Sequence, residues 1–331
     1  MSAFWGAALF LVTGLIFLLP LLPAIIELRR RQDIAPLKIE QGHEGNARYF
    51  ADRFRDFIRD AIANEHSRQQ LLMLDTGEPT ALGEAFTEGA IERVVVCNTD
   101  LQIGPDSAFD REVYGATSIV GGSRSCYRAV LAEDDLSLAE DSTVLRWAHA
   151  KRITVGAGTA LLGRVTAMEF IHIRGPARFT RLNAPIIRFG ATSGGCAPVM
   201  PRARKFSRQV IHGDYRAQSG EHVSDSVVAN GCAVISSNAV MEGSIKGGTG
   251  VRIESGATLH GSLISGRDAQ VAGSCRIAGP VVVEGALLIG RDTVVGSLDS
   301  PTTVSATEIR IQAGACIYGS VWAKECGWAE D

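Results

Sequence analysis

"VRIESGATLHGSLIS" occupies residues 251–265, and the same sentence recurs as "IRIQAGACIYGSVWA" at 309–323 and "ITVGAGTALLGRVTA" at 153–167. Set one under another, the three share aliphatic, any, aliphatic, any, small, Gly, small, any, aliphatic, any, Gly, Ser or Arg, aliphatic. Weaker copies begin at 233 ("AVISSNAVMEGSIKG"), 269 ("AQVAGSCRIAGPVVV") and 287 ("LLIGRDTVVGSL"), so the starts 233, 251, 269 and 287 are each 18 apart. The next step, to 309, is 22, and the excess falls at the bulge "LDSPT" (298–302). Upstream, copies start at 101, 136, 153 and 171, with a degenerate one near Ile119 and another at Ile187. About ten to eleven copies of a 17–18-residue unit result.

Inside the unit, aliphatic residues recur every six, at Ile253, Leu259, Val271, Ile277, Val283, Ile289 and Val295, with only Ser265 out of step. Three six-residue sides closing one 18-residue turn describe an all-β parallel β-helix, each coil of which pairs with the coils before and after it. The core ladder is read as Ile153, Val155, Leu161, Ile253, Leu259, Val271, Ile277, Val283, Ile289, Val295, Ile311 and Ile317. Glycines serve the corners. A polar residue at Ile253, Val271 or Ile277 should disrupt stacking, because an unpaired buried polar group costs about 1–3 kcal/mol.

Around the repeats the chain divides as follows: anchor 1–28, linker 29–45, helical segment 46–90, first array 91–190, loop insertion 191–226, second array 227–323, tail 324–331. From Ala3 to Ile26 no residue is charged, which is long enough to span a bilayer as a helix. The cluster Arg29, Arg30 and Arg31 follows the run and no Lys or Arg precedes it, so a retained single-pass anchor fits better than a cleaved signal. The N-terminus is then expected outside an inner (cytoplasmic) membrane and the β-helix in the cytoplasm. Phe50, Phe54, Phe57, Ile58 and Ala61 form a helical stripe, with Asn46 as a candidate N-cap. That helix is expected to pack on the following domain, because its charges are mixed rather than basic.

Among 331 residues, hydrophobic residues are 46%, charged ones 21%, glycines number 36 and net charge is -3. No global basic field points to nucleic acid. The seven cysteines are odd in number and contain no C-x-x-C, which disfavours a disulfide framework or a zinc site and fits a reducing compartment.

The second array resembles the bactofilins, the polymer-forming cytoskeletal proteins of bacteria. The motifs carrying the likeness are "GATLHGSLIS", "GPVVVEGALLIG", "PTTVSATEIRIQAGACIYGSVWA" and "VMEGSIKGG". It is good over 227–323, more degenerate over 94–190, and does not cover 1–90. It implies a right-handed β-helix, end-to-end assembly, no bound nucleotide, and a scaffolding role at the membrane beside machinery for cell envelope or surface polysaccharide. Two departures favour a fixed membrane platform over free filaments: about twice the usual coils, and the anchor. The expected partners are the chain itself, the membrane, and membrane-bound envelope or polysaccharide synthesis proteins. Trp322 and Trp328 are candidates for the self-assembly end, with the 46–66 helix capping the other. The basic run Arg202, Arg204, Lys205 and Arg208 is a candidate partner contact.

No catalytic, cofactor-binding or metal-ligating residue is expected. The enzyme alternative is a six-residue-repeat acyltransferase, whose coil-borne histidine acts as general base. His260 occupies an outward position without an identifiable carboxylate partner, and His212, with Asp214 close in sequence, is the next candidate. A passive membrane adaptor without self-assembly is the remaining alternative.

Overall fold

In the computed structural model the protein is described over residues 46–74, 90–191, 197–201 and 207–331, the backbone of 80–82, and a few isolated residues between 4 and 19. Among the described residues no helix is long and apolar enough to cross a membrane. The expected anchor and the linker 29–45 lie almost wholly outside them. The chain from Ala47 onward is one compact unit.

That unit is a parallel β-solenoid of about thirteen turns. Most turns of the second array have three short strands, whereas in the first array and the last coils adjacent sides join into strands such as Ala160–Ile173 and Cys316–Glu330; the sides stack by turn into three faces. On the first face, parallel pairing aligns Val95, Val113, Val130, Ala148, Val165 and Leu182 in one interior column. On the second array's side, Val227, Ile245, Leu263, Val281, Val304 and Val321 form the same column. All twelve are essentially inaccessible to solvent. Alternate residues point outward, which is the period-2 rule of a strand applied to each side of the coil.

The two arrays do not follow one another in the same direction. The last strand, Cys316–Glu330, pairs parallel with Thr302–Gln312 on one edge and antiparallel with Ala177–Phe189 on the other. The final coils of the two arrays therefore close each other, in one rod whose interior runs through the junction as Leu182 against Val321 and Ile187 against Ile317. At about 4.8 Å per coil, thirteen coils make a rod of roughly 60 Å. The chain must then return from Phe189, at the junction, to Arg208, at the far end. Between them Met200 is seated on the second array: its carbonyl meets His260 Nδ1 at 3.0 Å and its sulfur meets Ser297 Oγ at 3.0 Å.

Several expectations change. The turns number about thirteen rather than ten to eleven, because two coils lie outside the repeats read from the sequence. One is Leu71–Leu74 with Thr80–Leu82 and Ile91, which pair with the coil above. The other is Arg208–Ile211, Tyr215–Ala217 and His222–Val223. The loop between arrays thus ends at 207, not 226, and the helical segment ends at Arg68. The expected tail 324–331 belongs to the last strand, which runs to Glu330.

Helix α1 (Tyr49–Ala63) is followed by the single turn α2 (Glu65–Arg68). Arg48, not Asn46, is the N-cap of α1, and its side chain makes no capping bond. The helix does not cap the end of the solenoid. It lies along the outside of the first face, with Ala51, Phe54, Ile58 and Ala61 against Leu71, Val94, Val96, Ala129, Leu131 and Trp147.

Candidate functional site

The corner that gives the repeat its glycine is a left-handed backbone position. Gly158, Gly256 and Gly314 have φ near +72°, +74° and +81°, and Asn238, Ser274 and Asp292 fill the same corner in neighbouring coils with φ between +56° and +59°. Asn and Asp tolerate this region better than most residues. The small residue after the corner is buried, and where it carries a hydroxyl it bonds a carbonyl of the previous coil: Thr293 Oγ1 donates to Ala272 O at 3.0 Å, and Ser142 Oγ to Gly122 O at 3.1 Å. All twelve ladder residues named from the sequence lie inside the solenoid.

The outer surface offers three places for recognition. The first is where α1 docks. Arg55 Nε and Nη2 donate to the two oxygens of Glu133 at 2.8 and 2.9 Å, a bidentate pair that fixes the helix in register. The Phe54 ring meets Trp147 edge-on at 5.5 Å, and Arg164 lies over Phe50 at 5.5 Å. A groove of about 750 Å³ runs beside the helix, lined by Phe50, Phe57, Arg53, Gln70, Arg93 and Glu112 among others. Beneath the helix His149 is buried, its Nδ1 2.6 Å from Thr166 Oγ1. Burial, then the positive charge of Arg55, pushes its pKa down to about 4. Sequence reading had no signal for it: an outward position is buried only because a helix covers it.

The second place is the junction. Arg181 lies over the Trp322 ring at 4.3 Å, Arg310 over Trp328 at 5.3 Å, Arg178 Nε donates to Cys326 Sγ at 2.9 Å, and Asn183 Nδ2 to Ser320 Oγ at 2.6 Å. Trp322 and Trp328 therefore do not mark an open end. The strand that carries them is paired along both edges within the chain.

The third place is the open end of the second array. Among the described residues Arg208–Ile211, Tyr215–Ala217 and His222–Val223 pair with the next coil on one edge only, as do Leu71–Leu74 and Thr80–Leu82 at the other end. Ser226 N–H donates to Ser207 O and Asn230 N–H to Ile211 O. Alternation along a parallel strand then turns the N–H and C=O of Arg208 and Val210 away from the solenoid. Arg208 of the basic run is exposed here, while Arg202, Arg204 and Lys205 lie outside the described residues.

The two histidines weighed for the enzyme alternative bond elsewhere. Asp214 accepts from Cys232 N–H at 2.7 Å and so serves the next coil, while His212 Nδ1 sits 3.5 Å from Asn230 Nδ2. His260 meets the Met200 carbonyl. A histidine–carboxylate pair does occur at the open end, between exposed His222 Nε2 and the buried Glu242 Oε1 at 3.0 Å. It was not legible because the partners are 20 residues apart in sequence and adjacent only through coil stacking.

No protein-family model, no curated protein and no solved structure matches this chain. The likeness to bactofilins rests on the rung motifs alone.

Proposed function

We propose that the protein is a non-enzymatic, membrane-anchored, bactofilin-like scaffold that self-associates through the first coil of its second array and presents a rigid surface to membrane machinery. The observation that supports self-association most is the open coil at 208–223, whose strands have one unpaired edge. Such edges template further pairing unless they are covered. The chain already contains an example of the outcome, since its two terminal coils meet antiparallel at the junction. Like ends meeting about a two-fold axis give a closed dimer rather than an open filament. The right-handed winding, the single-pass topology with the N-terminus outside, and the link to envelope or polysaccharide synthesis follow from the resemblance and the apolar run.

Sedimentation velocity on the full chain in detergent tests this reading. A concentration-dependent dimer is expected for the wild type and a monomer for Val210→Pro, which removes an outward N–H while leaving the pairing with the next coil intact. A wild-type monomer at all concentrations leaves the passive adaptor. The His222–Glu242 pair is the one observation favouring the acyltransferase; acyl transfer from a thioester that disappears with His222→Ala would establish that reading instead.

A further inference from the structure

The outward column of the first face passes without a break from one array to the other. Trp147, Arg164, Arg181, Trp322, Ser305, Val282, Ile264, Lys246, Val228 and Val210 occupy it in register. Over the first array α1 covers this face, and the residues beneath it are buried. Over the second array Val210, Ile264, Val282 and Trp322 are 52%, 37%, 42% and 49% exposed. The sheet surface is therefore stepped: one half carries a helix, and the other half lies lower by the thickness of a helix, about 10 Å. A flat bilayer resting on α1 would not reach the lower half.

We infer that the outer first face of the second array is a docking surface for an amphipathic helix of a partner protein, with carboxylates flanking its apolar stripe. Three observations converge on that occupant. The interface continues an established one of the same kind, since α1 already packs a stripe of small and aromatic residues on this face. The step has the depth a helix fills. The charge on the face includes the exposed Lys246 and Lys324 and, at its upper end, Arg181, with Glu284 and Glu325 as the carboxylates beside Lys324. Beside Trp322 a cavity of about 420 Å³, lined by Glu284, Ser305, Thr307 and Lys324, gives such a helix room for one large apolar side chain. Only Val210 is shared with the open-end edge, so the stretch from Val228 to Trp322 adds a partner site to the scaffold without depending on self-association.

The probe is a fluorescent peptide of residues 46–66 carrying Arg53→Glu, Arg55→Glu and Arg59→Glu. These changes keep its apolar stripe, supply the acidic flank and remove the arginine that pairs with Glu133. Fluorescence anisotropy against the full chain should show saturable binding, weakened about tenfold or more by Val282→Asp and by Lys246→Glu. Both positions point outward, and circular dichroism unchanged from wild type would verify the fold. Val282→Asp should leave the self-association of the full chain intact, so a failure of self-association and a failure of this site show separately. Absent binding, or binding indifferent to Val282→Asp, overturns the inference. So does the finding that Val282→Asp abolishes attachment to anionic vesicles, or dissociates a dimer, while the peptide never binds.

Discussion

At Gly256 the backbone has φ near +74°, and a Cβ built there would stand 2.3 Å from Asn238 Oδ1 of the preceding coil. Gly256→Ala meets both the strain of that region and the neighbouring side chain, so it should lower stability by about 1–2 kcal/mol. Asn238→Gly should cost much less, as denaturant titration of both variants would establish. The repeated glycine of the sequence motif was legible for this reason, since only a small set of residues tolerates the corner. His149 is the opposite case. Covered by α1, it faces Thr166, the cations Arg48 and Arg55 and the carboxylates Asp52 and Glu133. Its pKa falls from 6.5 to about 4. A histidine held neutral contributes its full stability above pH 6.5. The contribution then declines as pH falls to about 4, because the released state takes up a proton that the docked state does not; the loss is roughly 3 kcal/mol. Trp147 emission, recorded with the other tryptophans replaced, should report weaker helix docking across that window. His149→Asn should flatten the profile, and an unchanged slope would dismiss the assignment.

Helix α1 was readable from its stripe, and packing on the solenoid followed from its mixed charges. Which surface it covers was not readable, because one outward position of a coil looks like another in sequence. Phe54→Ala removes its central contact with Trp147 and should cost about 3–5 kcal/mol of docking. Limited proteolysis is expected to cut α1 in this variant while the strand signal in circular dichroism persists. Loss of the strand signal together with the helix would instead make α1 integral to the solenoid. The junction depends on an equally local fit: Gly327 lies opposite Phe179, and a Cβ on it would fall 2.2 Å from that ring. Gly327→Val should therefore overpack the interface by about 1–3 kcal/mol, and Phe179→Ala in the same chain should recover part of the loss. Thermal melts of the two single variants and the double would measure that coupling; strict additivity would mean the two residues do not meet.

For the whole molecule, period-six aliphatics and recurring glycines were enough to read a coiled all-β ladder. They could not show that the arrays run towards each other, since the interior pattern is the same whichever edge is presented. Nor could they reveal the coil at 208–223, where Arg208, Gln209 and Val210 are exposed and no described residue stacks beyond them. Closing two ends inside one chain changes the account of assembly. The C-terminal coils are used up, and the first coil of the second array, like that of the first, pairs on one edge only among the described residues.

Electron microscopy of the full chain in detergent addresses this most directly. One chain should give a rod of about 60 Å, and two chains joined at that coil a straight rod of about 120 Å. The account predicts the longer rod for the wild type and the shorter one for Val210→Pro. Single-length rods from the wild type at every concentration, or long rods that survive Val210→Pro, would contradict it.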